Sequence, residues 1–285
     1  MTDPAIRVLS LGAGVQSSAL LIASARGLLP KVDAAIFADT GWEPGAVYRH
    51  LDRLEHEIAD PAGIPVHRVS SGNIRRDALD ARHRFASMPL FIRNPDGGDG
   101  MLRRQCTAEY KLKPIKAAVR ELLGYPGRTY IPRDVYAEQW IGISTDEIGR
   151  ARDSGLKFSR NVFPLLDLRW SRDDCRTYLT ENGFGETPKS ACIGCPFHGN
   201  AQWRKMRDDS PEEWKDAVDF DASIRAGNAR ATANGVPLLG QAFLHRSRKP
   251  LHKAPIDHVT RNERVEAGDP DGCSPFSCRS GEPVA

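Results

Sequence analysis

The stretch Ile6-Arg7-Val8-Leu9-Ser10-Leu11-Gly12-Ala13-Gly14-Val15-Gln16-Ser17-Ser18 decides the fold class of this chain. Its first five residues form a short β-branched and apolar run, the composition of a strand. Leu11 to Gln16 is a glycine-bearing turn, and Ser17 to Arg26 (SSALLIASAR) has helical composition and stops before Gly27, a fitting helix-ending residue. Between a strand and a helix, such a turn is physically an anion site. Glycines let the backbone approach a ligand, the N–H groups of the helix N-terminus point at it, and two serine hydroxyls add donors. A plain tight turn with serine as N-cap accounts for the same residues. The Gly-Lys-Ser/Thr ending of a Walker A loop is absent, and the pattern is not a good dinucleotide fingerprint.

Working outward, the strand–helix alternation repeats. Asp33 to Ala38 reads as a second strand, Pro44 to Ala59 as a charged amphipathic helix, and Ile64 to Val69 as a third strand. Gln139 to Ser144 is a further strand. Strands separated by helices predict an α/β fold, a parallel twisted sheet with helices on both faces. Between Arg75 and Arg104 the pattern weakens, and Asp96-Gly97-Gly98-Asp99-Gly100 reads as a mobile loop. Thr107 to Leu123 is helical in composition, with Pro114 limiting its start. Ser171 and Asp174 are spaced as the N-cap and N3 of a helix running to Glu181. Two more helical stretches between Gln202 and Arg225 divide at Ser210-Pro211. The expected division is a nucleotide-binding domain over 1–170, a small cysteine-bearing helical and loop region over 171–254, and a flexible tail over 255–285.

The chain has 285 residues, 40% apolar and 27% charged, which supports a sizeable core and excludes global disorder. Its net charge of +3 permits a polyanionic partner without arguing for one. No run of 18 apolar residues predicts a membrane span, so no membrane partner is expected. The start, MTDPAIRVLS, lacks the pattern of a secretory signal. A cytoplasmic, reducing setting follows as the expectation, and there six cysteines favour metal or redox chemistry over disulfides.

Those cysteines are Cys106, Cys175, Cys192, Cys195, Cys273 and Cys278. Cys192-Ile193-Gly194-Cys195 has the spacing that lets two thiolates share one metal or cluster, with glycine allowing a tight turn. A redox dithiol and two unrelated core thiols remain alternatives. Cys175 falls inside a predicted helix and reads as a buried small residue. Trp203 and Trp214 read as core anchors. His245-Arg246-Ser247-Arg248-Lys249 is a basic cluster, either a phosphate contact or a solvated surface.

Gly12-Ala13-Gly14-Val15-Gln16-Ser17-Ser18 resembles the SGGxDSS pyrophosphate loop of the PP-loop ATPases, the adenine nucleotide alpha hydrolases. Phe37-Ala38-Asp39-Thr40-Gly41-Trp42-Glu43 and Gly142-Ile143-Ser144-Thr145-Asp146-Glu147, with Arg150, resemble two later segments of that superfamily's phosphosulfate reductase branch, in the family's order. The resemblance implies a HUP-like nucleotide domain in which Ser10, Gly12, Ala13, Gly14, Gln16, Ser17, Ser18, Asp39, Thr40 and Gly142 hold ATP. Gln16 stands where the family has aspartate, so it brings no charge to Mg²⁺; Asp39 is the compensating carboxylate, or a cap for its own turn. Asp146, Glu147 and Arg150, with Arg152 and Arg160, are implied to face the substrate.

Cys106, Lys111 and Pro114 match a segment of the adenylylsulfate reductases, which bind a [4Fe-4S] cluster; Thr107 replaces the second cysteine of their pair. Cys106, Cys192 and Cys195 then remain as ligands. Three cysteines on a four-iron cluster resemble the tRNA thiolation enzymes of the superfamily, in which one iron stays open for sulfide. Zinc on the same three thiols plus His198 is the rival metal. The implied activity is an ATP-dependent sulfurtransferase: ATP adenylates a substrate oxygen, pyrophosphate leaves, and sulfur replaces the oxygen. Asp39 and Lys111 are its expected catalytic groups, and Lys113 is expected at the substrate. The sulfur donor is open, and a tRNA, a DNA or a small molecule fits as acceptor. A homodimer is one open assembly. Rival readings are an adenylylsulfate or phosphoadenylylsulfate reductase, against which the missing Glu-Cys-Gly-Leu-His ending counts, and a non-catalytic accessory protein with structural zinc.

Overall fold

Alternate residues of the first strand face two different cores, and this puts helices on both sides of the sheet. The computed structural model describes residues 3–83 and 87–259. Its first half runs β1 (Ile6–Ser10), α1 (Val15–Ala25), β2 (Ala34–Asp39), α2 (Gly45–Leu54), α3 (Asp60–Ala62), β3 (Val66–Ser70), α4 (Ile74–Leu79), β4 (Phe91–Arg93), β5 (Asp99–Met101) and α5 (Lys113–Leu122). There follow β6 (Ala137–Trp140), β7 (Ser159–Val162), α6 (Pro164–Asp167), α7 (Arg172–Glu181), α8 (Asn200–Asp209), α9 (Pro211–Ser223), α10 (Ala229–Ala233) and β8 (Gln241–Phe243).

Five parallel strands form the main sheet in the order β3-β2-β1-β6-β7. The expected parallel α/β fold is therefore what the chain adopts. Leu9, Ala35, Phe37 and Trp140 pack under α1, α2 and α7, whereas Val8, Ile36 and Ala137 pack against Ile115, Ala118 and Val119 of α5. That is the period of two along each strand, read out as two layers. Ser171 and Asp174 form the expected capping box on α7.

Several boundaries differ from expectation. Strand β6 ends at Trp140; Ile141 N still donates to the Val162 carbonyl at 2.9 Å, and Gly142 packs against the start of α1. Cys175, Leu179 and Phe184 belong to the same core as α1, so the division expected at 170 cuts through a packed layer. The Asp96–Gly100 segment is part of a hairpin: β4 pairs with β5 and with β8 in a small antiparallel sheet. A second core joins residues 74–110 with 193–256, around Trp203 and Phe220. Residues 255–259, expected to open the tail, are tied to α8, where Asn200 donates to the carbonyls of Pro255 and His258. Cys273 and Cys278 lie outside the described residues. Among the described residues no helix is long and apolar enough to cross a membrane.

Candidate functional site

In the sheet order, β1 and β6 are neighbours from which the chain winds in opposite directions. The loops leaving their C-terminal ends must part there, and open α/β sheets bind ligands in that crevice. Here it is a cleft of about 540 Å³. Ser10, Gly12, Gly14, Gln16 and Ser17 line it from the β1 side, and Ile141, Gly142, Glu147 and Arg150 from the β6 side. Arg172 at the start of α7 and the segment Lys189-Ser190 complete it.

The loop is held by its own side chains. Ser17 Oγ accepts from Gly12 N at 3.1 Å and donates to the Gly14 carbonyl at 3.2 Å. Ala13 is left-handed, at φ 53°, in a loop that turns sharply into α1. Gly142 is required by space: a Cβ there would stand 2.9 Å from Ser17 N and 3.0 Å from Gln16 Cβ. Ser18 turns away, its hydroxyl 2.9 Å from His50 Nε2 in the interior, and its N–H donates to the Gly14 carbonyl at 2.9 Å. Neither Ser18 nor Ala13, both buried, is among the residues that line the cleft.

Three cations and one carboxylate face the cleft among its lining residues: Arg150, Arg172, Lys189 and Glu147. Glu147 Oε1 accepts from Arg150 Nη1 at 2.5 Å, and its Oε2 accepts from Gln16 Nε2 at 3.1 Å. Burial raises its carboxyl pKa, against the lowering effect of Arg150 and then Arg172. Asp146 is exposed and accepts from Arg172 N at 3.0 Å, capping α7 rather than facing the cleft.

Asp39 does not line this cleft. Its Oδ1 accepts from Gly41 N and from Tyr48 OH, both at 2.7 Å. The turn-capping alternative is thus the one the structure displays. The residues after it serve a second cavity. Thr40 is buried, with Oγ1 at 3.2 Å from Cys192 Sγ and 3.1 Å from Glu43 Oε1. Ile193 N donates to the Trp42 carbonyl at 2.9 Å.

That cavity, of about 420 Å³, is lined by Cys106, Cys192 and Cys195 together with Thr40, Lys111 and Arg104, against walls of Met88, Pro89 and Phe197. A π-turn, Ala108–Leu112, carries Lys111 inward; such insertions are frequent at functional sites. Lys111 Nζ lies 3.5 Å from Glu43 Oε1, and both side chains are almost wholly buried. Burial and then the Glu43 carboxylate push the Cys192 thiol well above its ordinary pKa, while Lys111 pulls it down. The donor set is soft, and Glu43 Oε2 is buried without a hydrogen-bond partner. The soft donors fit an iron–sulfur cluster or zinc, and Lys111 and Arg104 in the wall fit the negative charge that three thiolates bring.

Among the described residues no three His, Cys, Asp or Glu side chains form a cage for a metal ion. His198, the expected fourth zinc donor, instead sets Nε2 at 2.9 Å from the Cys192 carbonyl and 3.2 Å from that of Ile193. Its imidazole pKa is lowered to about 4 by burial. His198 supports the cysteine turn from below.

Other expected residues fall outside both sites. Lys113 is exposed and pairs with Glu109 at 3.4 Å one helical turn away. Arg160 stacks on Tyr136 at 3.6 Å, and Arg152 is exposed beside its own backbone. In the basic cluster, His245 is buried against Asn200 of α8 and Ser247, and Arg248 bonds the Ile92 carbonyl of β4 and Asp99 of β5. Cys175 is fully buried, as expected, and burial raises its thiol to about 12. Sequence reading missed Glu43, Arg172, Lys189 and Ser190 as site residues. Glu43 carried a signal, an acid four residues beyond Asp39; the others are brought in only by folding. Set against known protein families and curated proteins, the chain gives no match.

Proposed function

We propose that this chain is an ATP-dependent sulfurtransferase of the PP-loop type, with nucleotide in the switch-point cleft and a [4Fe-4S] cluster on Cys106, Cys192 and Cys195. One observation carries the reading. Lys189 and Ser190 line the cleft, and Cys192, two residues further on, lines the cysteine cavity. Two residues of extended chain span at most about 7 Å. The linings of the two cavities are thus adjacent, which supports a reading in which a group activated in the cleft is attacked from the side of the thiols.

The glycine loop and α1 N-terminus take the phosphates, and Arg150, Arg172 and Lys189 offset their charge. So held, ATP is open to attack at its α-phosphorus by a substrate oxygen. A P–O bond to the substrate forms, the bond to the β-phosphate oxygen breaks, and pyrophosphate departs with its electron pair. The substrate oxygen now leaves as part of AMP, a far better leaving group. The cluster, when bound, supplies a soft sulfur nucleophile. Lys111, fixed by Glu43, places a positive charge at the wall of that cavity.

The test is anaerobic purification with iron, sulfide and zinc analysis, followed by pyrophosphate release from ATP. The expected protein is brown, with about four irons per chain, and Cys106→Ala loses iron while Cys175→Ala retains it. A colourless protein with stoichiometric zinc overturns the proposal. Sulfite release from adenylylsulfate without ATP cleavage assigns the chain to the reductases instead.

A further inference from the structure

The glycine loop has Gln16 at the position where the resembling loops carry aspartate, so no negative charge from that loop reaches a nucleotide-bound cation. Asp39, the nearest substitute in the sequence, is occupied with Gly41 and Tyr48 and does not line the cleft. A carboxylate nevertheless stands beside position 16. It is Glu147, which approaches from the opposite loop and receives the Gln16 amide at 3.1 Å. Among the described residues it is the acid that lines this cleft.

We propose that Glu147 is the carboxylate that holds the divalent cation of the nucleotide, Mg²⁺, and that Gln16 positions it. The inference rests on the nucleotide reading of the cleft. Mg²⁺ typically takes one or two carboxylates and completes its shell with phosphate oxygens and water. One well-placed carboxylate therefore suffices, and no cage of protein side chains is needed. The surrounding charge agrees. Three cations line a cleft offered to a polyphosphate, and the acid among its lining residues is fixed there, paired with Arg150 through Oε1 and taking the Gln16 amide on Oε2. Arg150, at 2.5 Å, holds the carboxylate in place before the ion arrives. The roles of the loop aspartate are thus divided here: the amide stays on α1, and the charge comes from the turn after β6.

The experiment is equilibrium binding of a fluorescent ATP analogue to the full chain, in Mg²⁺ and in EDTA, with Mn²⁺ and ATP followed by electron paramagnetic resonance. Wild type binds nucleotide more tightly with Mg²⁺. Glu147→Gln loses that increment, tenfold or more, and its metal-free affinity rises because a negative charge facing the phosphates is gone. Moving the charge back, Gln16→Asp in the Glu147→Gln background, restores the ion dependence and the bound Mn²⁺ signal. If Mg²⁺ tightening survives in Glu147→Gln, Glu147 is not the ligand. If that variant loses binding with and without the ion, the carboxylate only shapes the loop, and the proposal fails. If wild type binds no nucleotide under either condition, the proposed function falls together with this inference.

Discussion

Replacing Gly194 by alanine tests the cysteine cavity without touching a thiol. A Cβ at this position would lie 2.0 Å from Trp42 Cη2, 2.4 Å from Cζ3 and 2.9 Å from Cζ2. Carbon atoms rest about 3.5–4.0 Å apart, so well over an ångström must be found. Trp42 cannot yield it cheaply. Its Nε1 donates to Asp216 Oδ2 at 2.6 Å, and its ring lies 4.6 Å from Phe220. The cysteine turn cannot yield it either without breaking the 2.9 Å bond from Ile193 N to the Trp42 carbonyl. Overpacking a core costs about 1–3 kcal/mol, and a hydrogen bond to a charged group is worth about 1.5–3 kcal/mol. Together these give a loss of about 2.5–6 kcal/mol, or roughly 5–24 °C in Tm for a chain of this size. The assay is thermal unfolding of the metal-free protein by circular dichroism, with iron per chain measured after reconstitution. Both fall in Gly194→Ala. Gly149→Ala is the control, since a Cβ there meets nothing within 4 Å. A Gly194→Ala protein that melts within about 1 °C of wild type and binds full iron refutes the reasoning.

Three further outcomes follow from buried groups. Lys111→Met strands the buried Glu43 carboxylate and costs about 3–5 kcal/mol in urea unfolding; adding Glu43→Gln recovers most of it, whereas simply additive losses would show the pair to be uncoupled. Cys175, with a thiol pKa near 12, stays unalkylated by iodoacetamide at pH 8 in the native metal-free protein while Cys106 reacts, and mass spectrometry showing equal labelling contradicts its placement. His50, His198 and His245 are held neutral by burial, each with its pKa lowered from 6.5 to about 4. Between pH 6.5 and 4 the unfolded chain binds the extra protons, so stability is full above 6.5 and falls as pH drops through that window. His50→Gln should flatten the fall of the urea midpoint, and an unchanged slope argues against a buried neutral imidazole.

The parallel sheet was legible because its signals are local. β1 and β2 are short apolar runs, a glycine turn follows β1, and the capping box of α7 spans four residues. The small sheet was not legible. β4, β5 and β8 have three residues each, and β4 meets β8 about 150 positions later in the chain. The glycines of Asp96–Gly100 speak for a turn, which is correct, but not for the strands it joins. The cysteine set was legible as three thiols meeting in one cavity, whereas the reason for Gly194 was not: it supplies room for an indole rather than an unusual backbone angle. Asp39 illustrates the limit at the cleft. Chain position alone makes it the nearest acid, but hydrogen bonding commits it elsewhere, and Glu147 arrives from a loop 131 residues beyond Gln16. Arg172 and Lys189 are likewise delivered by packing of α7 and the segment after it.

The antiparallel sheet that joins residues 91–101 to 241–243 also has a meaning in time. All three cavity cysteines have been synthesised by residue 195, yet the core beside them is completed only by β8 and the residues up to Ile256. At about 5–20 residues per second the ribosome takes roughly 2–10 s to cover the distance from Cys195 to β8. Through that interval the walls of the cavity, complete in the chain by Phe197, lack part of the core that packs behind them. A chain that ends before β8 therefore carries every wall residue of the cavity but not the small sheet and the core that back them.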